Sequence, residues 1–256
     1  MSKKVYSHSR LSTFEQCPLK YEYQYIKKIK PEVEETIESH LGHCIHETFE
    51  WLYTLVMQNK IPNLDETVMH YNNLWQEKYK PGFLVVKNHL TPESYFNMGV
   101  KFIIDYYLKH QPFKDGTLEV EKRILIDLDE EHQLQGFIDR LALNPATNEI
   151  EIHDYKTGNS FPSQEKADAD RQLALYAIAI KELFGKDKNV CLVWHHLAHN
   201  HKLCSRRTNQ ELENLKKDIL ALIYQIEATN HFHPYISRLC DWCEYRSICS
   251  AWKEEK

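Results

Sequence analysis

Apolar residues recur at helical spacing through Ile37, Leu41, Ile45, Phe49, Leu52 and Val56, which predicts an amphipathic helix over about 36–57. His46 and Glu50, four residues apart, fall on one face of it. Upstream, Ser12-Thr13-Phe14-Glu15 reads as a capping box that opens a helix, with Ser12 as N-cap and Glu15 reaching back. Residues 64–110 read as two helical pieces separated by Lys80-Pro81-Gly82 and closed before Gln111-Pro112, so 58–112 is expected to be a helical insertion or cap. Beyond Gly116 the period changes to short strand-like runs at 118–128, 134–143 and 150–155. Asp129-Glu130-Glu131 and Asn144-Pro145-Ala146-Thr147-Asn148 punctuate them, which predicts a three-stranded antiparallel meander. A helix over 164–183, a fourth strand over 190–194 and a long polar helix over 209–229 follow. The order helix, three strands, helix, strand is that of an α/β fold.

At 256 residues the chain suits one folding unit, 1–256, with extensions rather than two independent domains. No apolar run approaches the roughly 20 residues needed to cross a bilayer, and the opening Met1-Ser2-Lys3-Lys4-Val5-Tyr6 lacks a signal peptide's apolar stretch. No membrane is therefore expected as a partner, and the cytoplasm is the expected location. The formal net charge of −5 gives no global support to nucleic-acid binding, so any such site must be a local basic channel. Lys27-Lys28-Ile29-Lys30, Lys202 and Arg206-Arg207 are the candidates, although each taken alone reads as a solvated face.

The strand pattern places chemistry at one end of the meander. Asp139 lies in Gly136-Phe137-Ile138-Asp139-Arg140 and Asp154 in Ile152-His153-Asp154-Tyr155-Lys156-Thr157-Gly158, at the ends of adjacent strands. Alternation puts Asp154 and Lys156 on the same face. Two aspartates from neighbouring strands can hold a hard divalent cation such as Mg²⁺, and a lysine beside them can orient or help deprotonate a water and balance charge on a phosphoryl group. An Asp-x-Lys triplet by itself is ordinarily a surface pair.

Taken in order, however, the motifs resemble the PD-(D/E)XK nuclease superfamily, and within it the RecB-type branch. The series is Gly42-x-x-x-His46, Gly136-x-x-Asp139-Arg140, Asp154-Tyr155-Lys156-Thr157-Gly158 and Gln172-x-x-x-Tyr176, spanning the chain from Ser9-Arg10-Leu11-Ser12 to Cys249. The resemblance implies a restriction-endonuclease-like core. It makes His46, Asp139 and Asp154 metal ligands, Lys156 the catalytic lysine, and Gln172 and Tyr176 residues lining the site. Glu121, in Val120-Glu121-Lys122, matches a less constant acidic position whose role is open. His40, His43 and His46 are spaced by three, and a helical histidine is more often packed than ligating. Gly42 preceding His46 at the family's interval selects His46, and His46-Glu47-Thr48-Phe49-Glu50 lacks the second histidine of a zinc protease helix.

Seven cysteines form an odd set with no export signal, which argues against a disulfide framework. Cys240, Cys243 and Cys249 cluster near the end, and Cys17 is a fourth thiol from the other end; four thiolates suit an iron-sulfur cluster or zinc, and spacing does not separate them. Cys44, Cys191 and Cys204 read as core or incidental residues. The Cys-Pro before an aromatic helix and the Cys-x2-Cys-x5-Cys tail resemble the iron-sulfur subgroup of AddB-type and CRISPR-associated nucleases. That resemblance implies a [4Fe-4S] cluster joining residues 231–256 to Cys17, with Zn²⁺ as the alternative. Such a cluster would close a loop of more than two hundred residues and stabilise mainly by restricting the unfolded chain.

The expectation is an enzyme that hydrolyses DNA with Mg²⁺ or Mn²⁺. An end of a single strand is the expected substrate, and spacer processing with CRISPR adaptation proteins or repair and recombination the expected setting. No Walker motif is present, so a helicase partner would be a separate protein. The alternative is a non-catalytic DNA-binding or scaffold protein that keeps the fold and the cluster.

Overall fold

The computed structural model describes residues 3–33 and 35–255. A six-stranded mixed sheet forms its centre: β1 (Lys4–Ser7), β2 (Thr117–Asp127), β3 (His132–Leu143), β4 (Ile150–Lys156), β5 (Val190–His196) and β6 (His201–Arg206). The helices are α1 (His8–Gln16), α2 (Pro18–Tyr21), α3 (Ile37–Met57), α4 (Leu64–Lys78), α5 (Pro92–His110), α6 (Gln164–Ala169), α7 (Gln172–Phe184) and α8 (Asn209–Ala228). This mixed α/β architecture is that of a restriction-endonuclease-like core.

The predicted meander is present: β2 pairs antiparallel with β3, and β3 with β4. The second edge of β3 is shared, its first four residues pairing with β1 in parallel and its last four with β4. Beyond the meander β4 and β5 run parallel, joined through α6 and α7, and β6 closes the edge antiparallel. Neither β1 nor β6 is legible in the hydrophobic pattern, because each is short and polar and gains its partners only from the assembled sheet.

Two apolar layers cover the sheet. On one side α1, α7 and α8 bury Leu11, Phe14, Leu173, Leu175, Ile180, Ile219 and Ile223 against Ile138, Ile152 and Leu192. On the other, α3, α4 and α5 bury Ile45, Phe49, Leu52, Tyr71 and Ile103 against Tyr155. The segment 58–112 thus supplies much of the second layer rather than sitting apart from it. Thr36 caps α3 through the Ser39 amide, and a full capping box at Asn63 and Glu66 opens α4.

Two helix expectations need correction. The first helix begins earlier, its N-cap being Ser7, whose hydroxyl accepts from the Arg10 amide at 3.1 Å; Ser12 lies inside it and Glu15 pairs with Arg171 instead. Extended β1 runs straight into the helix, so the capping serine sits at that junction. The helix expected over 164–183 is broken at Asp170-Arg171: the Asp170 carboxylate accepts the Gln172 amide at 2.8 Å and starts α7 afresh. That break allows α7 to lie across the sheet in a direction of its own.

Candidate active site

The ladder between β3 and β4 ends at Arg140 opposite His153, and the strands then part. Asp139 fills the opening. Its Oδ2 accepts the Tyr155 backbone N–H at 3.0 Å and lies 3.2 Å from His46 Nδ1. The other ring nitrogen, Nε2, stands 2.8 Å from the Tyr155 carbonyl oxygen and must donate to it. One ring nitrogen is thus fixed by a carbonyl and the other faces the carboxylates, an orientation that suits a histidine for holding a metal ion. Without a cation that nitrogen carries a proton. Burial opposes the charge on His46, but the Asp139 hydrogen bond and charge, with Asp154 behind it, outweigh burial and raise its pKa to about 9.

Glu121 completes the group. It falls on β2 between Val120 and Lys122, whose partners Arg140 and Ile138 flank Asp139, so it faces Asp139 across the ladder. Its backbone is left-handed, φ 44°, a costly conformation for a residue with a Cβ and one that is enriched at functional sites. Burial, then the charges of Asp139 and Glu50, push its carboxyl up to about 7. Ligand atoms of His46, Glu121 and Asp139 all lie within 4.8 Å of one another, a spacing a single divalent cation can bridge. The sequence pattern left Glu121 without a role; the facing register across two strands supplies one.

Asp154 and Lys156 stand across from that group on the α7 side of β4. The Lys156 ammonium donates to Asp154 Oδ1 at 3.1 Å and to Gln172 Oε1 at 2.8 Å, and the Gln172 amide donates to the same Asp154 oxygen at 3.1 Å. Asp154 is buried at 4% exposure, and its pKa is raised, first by burial and then by Asp139. Its Oδ2 lies 2.8 Å from the ammonium but makes no hydrogen bond of acceptable angle. A buried carboxylate oxygen in that position suits a cation.

Tyr176, one turn beyond Gln172, packs flat on the backbone of β3 at Gly136. A Cβ on Gly136 would stand 2.3 Å from the tyrosine ring, so the glycine is required by this contact. Of the residues expected at the site, His46 and Asp139 thus meet Glu121 in one group that does not include Asp154, while Asp154, Lys156, Gln172 and Tyr176 form a second group on the α7 side. An open cleft of about 950 Å³, lined by His46, Glu47, Glu50, Glu121, Asp139 and Thr157 among others, leads to the first group along α3. Lys156 borders a second cavity of about 420 Å³ on the other side, with Phe161, Lys166 and His196.

The basic residues outside the site are less available than their sequence suggests. Arg206 forms a two-point pair with Glu149 at 2.7 Å, Lys27 pairs with Glu22, and Arg207 donates to the carbonyls of Ala167 and Asp170.

Far along the chain but close in space, Cys17, Cys240, Cys243 and Cys249 line one small cavity. Cys17 sulfur accepts the Tyr235 amide at 3.4 Å and Cys240 sulfur the Ser237 amide at 3.5 Å. The two ends of the chain are tied around them by Lys20–Glu244 at 2.8 Å, by Tyr245 donating to the Ile29 carbonyl at 3.1 Å, and by Leu19 donating to the His233 carbonyl at 3.3 Å. Among the described residues no three of these sulfurs come within 4.8 Å of one another. Four thiolates on one zinc ion, with bonds of roughly 2.3 Å, would stand about 3.8 Å apart.

Residues 5–250 match the family described as the PD-(D/E)XK nuclease superfamily. The chain belongs to that family. Among solved structures, one from Eubacterium rectale described as a candidate exonuclease is similar over 98% of this chain and 87% of its own, with 10% identity and a TM-score of 0.53. A second, SSO0001, is similar over 98% and 88%, with 11% identity and a TM-score of 0.46. A search of curated proteins gives no match. No helix among the described residues is long and apolar enough to cross a membrane.

Proposed function

We propose that this protein is a Mg²⁺- or Mn²⁺-dependent deoxyribonuclease that degrades single-stranded DNA from an end, with His46, Glu121, Asp139 and Asp154 as the metal-binding set and Lys156 as the catalytic lysine. The observation that carries this reading is His46 Nδ1, Asp139 and Glu121 converging on one point while the Tyr155 carbonyl fixes the opposite ring nitrogen. A bound divalent cation polarises the phosphoryl group and sharpens a water as nucleophile. The protein's own residues do the rest. Asp139 and Glu121 would hold the cation beside the point where β3 and β4 part, and Asp154 would supply a buried oxygen from β4. Lys156, held by Asp154 and Gln172, donates hydrogen bonds toward oxygens that gain charge as the phosphodiester bond breaks. Tyr176 and Gln172 keep α7 seated so that the lysine stays aimed.

The four cysteines are proposed to hold a [4Fe-4S] cluster that braces the two ends of the chain. The reading is supported by four thiols from the two ends of the chain lining one cavity, a donor set that suits an iron-sulfur cluster or zinc. DNA repair and recombination, or spacer processing beside CRISPR adaptation proteins, are the proposed settings, with any helicase as a separate partner.

Two measurements test these readings. End-labelled single strands incubated with Mn²⁺ should be shortened by the wild type and left intact by Lys156→Ala and Asp154→Ala; equal degradation by all three places the activity elsewhere. Anaerobically purified protein should be brown with broad absorption near roughly four hundred nanometres, lost together with thermal stability in Cys243→Ser. A colourless protein carrying stoichiometric zinc would overturn the cluster assignment.

A further inference from the structure

The cleft that opens onto His46, Glu121 and Asp139 continues past them along α3 to a flat aromatic surface. Trp51 of α3 and His70 of α4 stack face to face, ring centroids 4.2 Å apart and planes within 8°, and both are partly exposed. Both line the same cleft as the metal-binding group. Burial holds the His70 imidazole below its ordinary pKa, so the pair is a neutral surface at physiological pH. Around it the lining is acidic: Glu38, Glu47 and Glu50 line the cleft, Glu47 paired with Lys78 at its margin, and no lysine or arginine is among the described lining residues.

Those charges decide what the surface can receive. Away from the cation this lining offers a phosphate no lysine or arginine, whereas a nucleobase is uncharged and presents a flat π-face. Trp51 lies five residues beyond His46 on the same helix, about 7.5 Å further along the axis and turned about 140° around it, and both residues line the one cleft. A base within a duplex has both faces covered by its neighbours; only an unpaired or terminal base can stack on a side chain.

We propose that Trp51, backed by His70, is a stacking shelf for an unpaired base of the strand being cut, near the phosphate at the cation. The shelf rests on the nuclease reading above and adds the selection for single strands that the acidic cleft cannot provide by charge. The helical segment 58–112 thereby contributes to substrate choice as well as to packing, since His70 belongs to it.

The test uses the full-length protein and a set of fluorescein-labelled 15-mer single strands, each with one abasic position. Binding is read by anisotropy with Ca²⁺, and cleavage with Mn²⁺. In the wild type one position near the cut end should weaken binding about 5- to 100-fold when its base is removed, the range expected for loss of one stacked base. Trp51→Leu, which keeps the apolar bulk, should bind the intact strand as weakly as the wild type binds that abasic strand and should show no further loss on it, with KM raised more than kcat is lowered. Trp51→Tyr should restore the position dependence. A uniform abasic profile in the wild type overturns the shelf, as does an unchanged profile in Trp51→Leu; the wild-type profile decides the matter even where a variant folds poorly. Failure of the wild type to cut any strand sinks the nuclease reading alone, whereas cutting with a flat profile sinks the shelf alone.

Discussion

Asp139 and Arg140 are neighbours on β3, yet they enter two polar systems built on opposite terms. Arg140, 1% exposed, is well partnered: its guanidinium donates to Asp115, to the Tyr155 hydroxyl at 3.1 Å, to Thr117 at 3.2 Å and to His153 Nδ1 at 3.0 Å, and it lies over the Tyr53 ring. His195, His110 and Tyr106 extend that network by ring contacts and a 2.9 Å His153–His195 hydrogen bond. Asp139 joins the other system, in which Glu121, Asp139 and Asp154 crowd like charges together and Asp154 retains an oxygen without a hydrogen bond. A buried ion that is fully paired holds the fold, and a buried cluster short of positive charge holds a place for a cation. Alternation along one strand is enough to keep the two apart.

The difference is largest in catalysis. Lys156→Ala and Asp154→Asn should each lower the cleavage rate about 10²- to 10⁴-fold, and Asp154→Asn should melt within a few degrees of wild type, because it removes a like charge from the crowded cluster. Arg140→Met should do the reverse. It removes the ionic partner of Asp115, which keeps only Tyr53 and Thr117, and a donor to both His153 and Tyr155, so a stability loss of roughly 3 kcal/mol, the low end for breaking a buried pair since Asp115 is partly exposed, is expected by denaturant titration. Any residual activity should follow the folded fraction. If Asp154→Asn proved as destabilising as Arg140→Met, the two systems would not differ in kind.

Cations sharpen the same contrast. Mn²⁺ at about 100 times its Kd should stabilise the wild type by about 2.7 kcal/mol, and Asp139→Asn or Glu121→Gln should lose most of that gain. Arg140→Met should keep it, since its own network does not reach the cation. Scanning calorimetry with and without EDTA reads all four proteins; equal stabilisation of Glu121→Gln would remove Glu121 from the ligand set.

How much of this was legible in the chain differs between the two systems. His46, Asp139, Asp154, Lys156, Gln172 and Tyr176 sit in short motifs whose order and spacing resemble a known family, and helix and strand periodicity placed five of the major elements nearly to the residue. Glu121 was legible only as an acidic position, because its role depends on register across β2 and β3 and on a left-handed backbone that no pattern of residues announces. The Arg140 network was not legible. Its partners Asp115, Tyr53, Tyr106, His153 and His195 come from five separate elements or loops, and each alone reads as a surface acid, a core aromatic or a strand residue. The same reason hid the Trp51–His70 stack, which joins two helices whose packing angle the sequence does not state. Ser7 was missed as the first cap because Ser12-Thr13-Phe14-Glu15 carries a better local signal than the true junction does.

The smallest expected effect is on pH dependence, read at His110 of the Arg140 network. Burial, followed by the Arg140 charge, lowers His110 from 6.5 to about 4, and the imidazole stacks on Tyr106 with centroids 4.1 Å apart. Below the unfolded value the denatured chain takes up a proton that the folded one refuses. Stability contributed by neutral His110 is therefore complete above about 6.5 and lost progressively as pH falls toward about 4. His110→Phe keeps the ring on Tyr106 and cannot titrate, so its stability should fall less steeply across that window, while its cation-dependent stabilisation at pH 7.5 (roughly the optimum region for stability) should match wild type. A variant whose slope equalled the wild type's would mean that the acid sensitivity of this half of the molecule lies in the deeper pair, His153 and His195, both held well below their ordinary values by the same burial.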